Sequence, residues 1–150
     1  MIGRAIILFA SVLSTACLAS SDEWDAYIRL IEQADPKTLQ AFPEKIDSIG
    51  NTLDGEHAKE LTTALGMALV KDPLAVINAT QSLDIITEPL KQRFATSLIC
   101  CIPSMAQFPT RAQTEDYYAK AELALKKAGP AAAECLEIMQ EAHAEMQQYH

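Results

Sequence analysis

The chain has 150 residues, with 20 acidic against 12 basic side chains, a formal net charge of −8 and only five glycines. That balance excludes nucleic-acid binding, which demands clustered Lys and Arg, and tight docking on anionic lipid headgroups. It suits a soluble protein, or one whose partner is another, basic, protein.

The N-terminus carries one cation, Arg4, then an apolar run over residues 5–13, then small residues, before charge returns at Asp22, Glu23 and Asp25. Cation, short apolar run and small-residue exit are the plan of a secretory signal. The run is shorter than the roughly 20 apolar residues a spanning helix needs. Two exits compete. Ordinary cleavage after Ala19, with Cys17 and Ala19 at the small-residue positions, is the favoured one. It makes residues 1–19 a signal peptide and residues 20–150 a single domain, large enough to bury most of its apolar side chains. The alternative is a lipoprotein signal over residues 1–16. Leu13-Ser14-Thr15-Ala16-Cys17 resembles a bacterial lipobox, with Ser14 where a large aliphatic residue is usual. Lipidation at Cys17 would make the chain a lipid-anchored envelope structural protein, an alternative function, and membrane contact is expected only in that case. Plain cleavage predicts a periplasmic or secreted address, and lipidation an anchored one in the bacterial envelope.

Apolar positions recur at three and four along the rest of the chain, and Gly and Pro fall at the joints. This predicts an all-α fold of about seven helices. The first starts at a capping box, Ser20-x-x-Glu23, carries Trp24, Tyr27, Ile28 and Ile31, and stops before Pro36. Asp35-Pro36 reads as an N-cap followed by a first-turn proline, with Leu39, Phe42, Ile46 and Ile49 behind it. Pro43 marks a kink or a fresh first turn. A third helix spans 54–71 on Leu61, Leu65, Ala68 and Leu69. Asp72-Pro73 repeats the cap-and-proline start, with Leu74, Val76, Ile77 and Leu83. The fifth opens near Pro89 and carries Leu90, Phe94 and Leu98 towards Cys101. Residues 102–113 are irregular. A sixth helix spans 114–128 on Tyr117, Ala121, Ala124 and Leu125, closed by Gly129-Pro130, and the last runs from 131.

The two Asp-Pro starts lie 37 residues apart, and the same offset aligns Leu39 with Val76, Ile46 with Leu83, Leu53 with Leu90 and Leu61 with Leu98. Such a period is expected of stacked helical hairpins, a short α-solenoid-like bundle. After cleavage at Ala19, Cys100, Cys101 and Cys135 remain. An oxidising compartment favours one bridge to Cys135. Helical phase favours Cys101, which continues the Leu90, Phe94 and Leu98 stripe, with Cys100 as the alternative. The closed loop of about 35 residues is worth roughly 3–4 kcal/mol in the chain-entropy picture.

No catalytic motif is present: no GxSxG, HExxH, GxGxxG or phosphate-cradling loop, and no CxxC pair. Acidic pairs such as Asp22/Glu23 sit at helix starts, where they complement the macrodipole. No enzymatic activity and no cofactor are expected. Met139, His143, Met146 and His150 are spaced four, three and four on the last helix, and thioethers with imidazoles suit Cu(I). Copper handling is therefore one alternative function; core filling by the two methionines is the blander reading. The binding candidates are Met105, Phe108 and Arg111 on the irregular segment, and Glu137 and Glu141, with Glu134 and Glu145, on the last helix. Phe108 is expected to tuck into the core and pin its loop.

Ala68-Leu69-Val70-Lys71-Asp72-Pro73-Leu74-Ala75-Val76 and Cys100-Cys101-Ile102-Pro103, behind a signal peptide, resemble small helical proteins exported by Gram-negative bacteria. In size and plan the chain is similar to periplasmic immunity proteins, which neutralise toxins of type VI secretion. The likeness covers about a third of the chain and rests on a helix cap and a helix end. It implies a protein-binding or inhibitor function without catalysis, and no inhibitory residue is carried over.

Overall fold

Aspartates placed one residue before a helix set much of the framework of the computed structural model, which describes residues 21–101, 108 and 110–149. Asp35 accepts the Thr38 N–H at 2.9 Å and opens α2 (Pro36–Gln40). Asp54 does the same for His57 N–H at 2.9 Å and opens α4 (Gly55–Lys71). Asp72 accepts Ala75 N–H at 3.0 Å and opens α5 (Pro73–Thr80). Each such cap satisfies an otherwise unpaired amide and is worth about 1 kcal/mol. The remaining helices are α1 (Ser21–Glu32), α3 (Phe42–Ile49), α6 (Pro89–Gln92), α7 (Thr96–Cys101), α8 (Arg111–Ala128) and α9 (Ala133–Gln148), with 3-10 turns over Gln81–Ile85 and Pro130–Ala132. The described residues are all-helical and contain no strand. The signal segment, Cys17, the capping serine at 20, Met105 and His150 lie outside the described residues.

α4 is the central element. Leu61, Ala64, Leu65, Ala68 and Leu69 are completely buried, so its apolar arc is wide, as an internal helix requires. α1 packs along one side, α8 along the other, and α5 and α7 also contact it; α9 closes the layer against α7 and α8. Gly66 weakens an isolated helix by about 1 kcal/mol. Its place is explained by α8: a Cβ there would stand 3.1 Å from the Tyr117 hydroxyl. α1 ends in a turn with Ala34 at φ 56°, where Asp35 N–H reaches Leu30 C=O and Ala34 N–H reaches Ile31 C=O. This is a Schellman-type stop, and it turns the chain directly into the cap of α2.

There are nine α-helices among the described residues, two more than the sequence pattern predicts. Pro43 begins α3 as a fresh first turn rather than kinking a longer helix. The expected fifth helix is broken at residues 93–95, where Phe94 and Ala95 make i−3 backbone bonds. Tertiary demands hold the break. Arg93 Nη2 donates to the carbonyls of Gly50, at 3.2 Å, and Leu53, at 2.7 Å. Lys91, buried, reaches Asp47 at 2.9 Å and Glu88 at 3.1 Å. Phe94 packs edge-on against Phe42.

The break also resets helical phase. Leu90 and Leu98 are exposed, while Phe94, Ala95, Ile99 and Cys100 are buried. The favoured pairing of Cys101 with Cys135 is therefore corrected. Cys100 faces α9 and bonds Cys135, with 5.3 Å between their Cα atoms, and Cys101 is an exposed free thiol. The offset of 37 residues shows the same shift. Leu39/Val76 and Ile46/Leu83 are buried pairs, whereas buried Leu61 meets exposed Leu98. Asn51 and Glu88, also 37 apart, hydrogen-bond each other at 3.1 Å.

Candidate protein-interaction surface

α9 has two unlike faces. Cys135 and Met139 are buried against α7 and α8. Glu134, Glu137, Glu141 and Glu145 are spaced three, four and four, so they form one ridge, and all are exposed. The ridge runs roughly 16 Å along the axis. Among the described residues none of the four is within salt-bridge distance of a Lys, Arg or His, whereas Glu115 and Glu122 on α8 both are.

The N-terminal end of the ridge borders a cleft of about 470 Å³ between α5, α7 and α9. Ile77 and Ile138 supply apolar wall, and Asp84 and Glu134 supply charge; no Lys, Arg or His lines it. Asp84 is fixed by Ser97, whose N–H and hydroxyl both donate to Oδ1, at 3.1 and 2.7 Å. Oδ1 is thus occupied, and among the described residues nothing donates to Oδ2. A carboxylate-edged cleft with aliphatic walls fits the stem and cationic head of a Lys or Arg side chain.

The structure separates the other candidates. Phe108 is half-buried and stacks on Tyr117 with ring centroids 4.9 Å apart, as expected of a loop-pinning residue. Arg111 is exposed on the first turn of α8 and lies 3.9 Å from Glu115. Residues Glu137 and Glu141 are brought together on the ridge; Phe108 and Arg111 are not part of it.

Of the Met/His stripe, Met139, His143 and Met146 are engaged by the core and α8, and His150 lies outside the described residues. Met139 is fully buried and Met146 packs half-buried against the core, because α9 turns this stripe inward. His143 is gripped instead by α8. Its Nδ1 is 2.9 Å from Glu122 and its Nε2 is 2.7 Å from Glu115, and its ring stacks on Tyr118 at 4.2 Å with 6° between planes. Both ring nitrogens are thus engaged by carboxylates. Among the described residues no group of three or more His, Cys, Asp or Glu has metal-binding geometry. Burial opposes protonation of His143, but the hydrogen bonds that the protonated ring donates to the Glu122 and Glu115 carboxylates, with their charge, outweigh it and raise its pKa from the usual 6.5. The Glu115 carboxyl is held below its usual range by the same contact.

Sequence reading missed Glu115, Glu122 and Asp84 as structured groups. Glu115 and Glu122 are seven apart, hence on one face of a helix, and that much is legible. That His143, 21 to 28 residues on, would sit between them is not. The chain also contains a capping box that sequence reading overlooked: Thr110 and Gln113 exchange side-chain to backbone bonds, so α8 starts three residues before the expected position. In comparison with known proteins, no protein family, no curated protein and no solved structure matches this chain.

Proposed function

We propose that this is an exported protein-binding module, of inhibitor or immunity type, that engages a basic partner along the α9 ridge. The observation that supports the reading most is the ridge itself, four exposed carboxylates in line with no Lys, Arg or His within salt-bridge distance among the described residues. Four like charges in one stripe repel each other, and a basic partner relieves that repulsion while being steered in at raised rate. The adjoining cleft gives one Lys or Arg of the partner a place to insert. We read no catalytic step into this surface, and take the Asp35-Pro36 and Asp72-Pro73 units as a related pair of helical hairpins on which α8 and α9 are mounted.

The test is a cross-linked pull-down of the natively exported protein from envelope extract, run beside a Glu137→Lys/Glu141→Lys variant. A partner retained by the wild type, lost at raised salt and lost from the variant is the expected result. A partner retained equally by both, or no partner from either, would count against the ridge. The intact mass of the bait, read from the same sample, distinguishes cleavage after Ala19 from lipidation at Cys17.

A further inference from the structure

The two halves of α9 are held by different means. The N-terminal half is fixed by the Cys100–Cys135 bond and by Met139, which is completely buried. Beyond Met139 no described side chain of α9 is fully buried; Ala142, His143 and Met146 are half-buried. The polar tie over this second half is His143. It lies between Glu115 and Glu122, on opposite edges of its ring, with Tyr118 beneath and Gln147 Nε2 at 3.2 Å from its Nε2.

We propose that His143 is a pH-operated clasp that holds the C-terminal half of α9 onto α8. The chemistry follows from donor count. An imidazolium has two N–H donors, one for each carboxylate; a neutral imidazole has one. On losing its proton the ring keeps one donor for two carboxylates, with only the Gln147 amide beside Nε2 to bridge the gap, and both glutamates lose their nearest positive charge. The other charged groups near the pair cannot replace it. Arg111 is 3.9 Å from Glu115, and Lys126 is 3.9 Å from Glu122, and both are largely exposed. From α7 the Cys101 thiol acts on Tyr118, the ring on which His143 rests, and contributes no cation. Apolar packing by Met146 then remains as the main tie of the last turns.

The clasp closes towards acid and opens towards alkali, a direction opposite to acid-triggered release. Protonation fixes the last turns, including Glu145; deprotonation lets them fray while the disulfide keeps the first half in place. The clasp stands whether or not the ridge docks a partner, and its test uses no partner.

The experiment is hydrogen exchange of the folded protein at about pH 6 and about pH 8.5, corrected for intrinsic exchange, with the amides of α4 as internal reference. Protection at residues 144–148 should fall by roughly tenfold at the higher pH, the equivalent of one charge-assisted hydrogen bond, while α4 is unchanged. In His143→Gln the same amides should show one low protection at both values. Equal protection at both pH values in the wild type, or the same pH dependence in His143→Gln, would overturn the proposal. The wild-type ring titration of His143 by NMR guards against a variant that fails to fold. An inflection below 6.5 would end the idea.

Discussion

Removing the Cys100–Cys135 bond should cost far more than removing the neighbouring thiol. The bonded residues are 35 apart. In the loop-entropy picture that separation corresponds to about 4 kcal/mol of stabilisation, through restriction of the unfolded chain. For a domain of this size, roughly 3–5 °C per kcal/mol converts the loss into a fall in Tm of about 10–20 °C. The informative variant is Cys100→Ala/Cys135→Ala, which leaves Cys101 without a partner and so blocks substitute pairing. Cys101→Ser alters an exposed residue and should stay within about 0.5 kcal/mol of wild type. Urea unfolding under non-reducing conditions, with intact mass before and after thiol alkylation, reads both quantities. The reasoning fails if Cys101→Ser loses the bond and the stability while a Cys100→Ala single variant keeps both. That result would mean α7 presents its last residue to α9, and that the helix break at 93–95 is misplaced.

Met139→Ala should destabilise by about 2–5 kcal/mol through loss of a fully buried side chain, with no effect on any bound metal; a near-neutral change would place Met139 on the surface. Tyr117→Phe should raise stability by about 1 kcal/mol, since the Tyr117 hydroxyl is buried without a hydrogen-bond partner among the described residues, and a loss measured by urea midpoint would show that a partner exists. Thr110→Ala should cost about 0.5–2 kcal/mol by removing the capping box of α8, read as a fall in Tm that Thr110→Ser largely restores. The pH dependence of stability has a definite sign. The folded-state pKa of His143 is raised, so its contribution is fully present below the unfolded value of 6.5 and is lost as pH rises through the folded pKa. The stability gap between wild type and His143→Gln should therefore shrink from about pH 6 to about pH 9, and a gap that widens would contradict the assignment.

Local chemistry was legible from the sequence because it depends on neighbours a few residues apart. The Asp35 and Asp72 caps, the first-turn prolines, the stop at Gly129 and the inward stripe Leu61, Leu65, Ala68 and Leu69 are all settled within one or two turns of helix. The all-α fold follows from them. The exposed acidic line on α9 was equally readable, since a spacing of three and four puts residues on one face. What only the tertiary structure decided is which face turns inward where a helix is interrupted, and which distant groups meet. Arg93 and Lys91 reach back 40 to 44 residues to Gly50, Leu53 and Asp47, and break a helix that its own pattern would have continued. A break of a few residues rotates everything after it, since each residue turns the helix by about 100°. Cys100 rather than Cys101 faces Cys135 for that reason. His143 sits between Glu115 and Glu122 because α9 lies against α8, a juxtaposition set by the packing of whole helices and carried by no local motif.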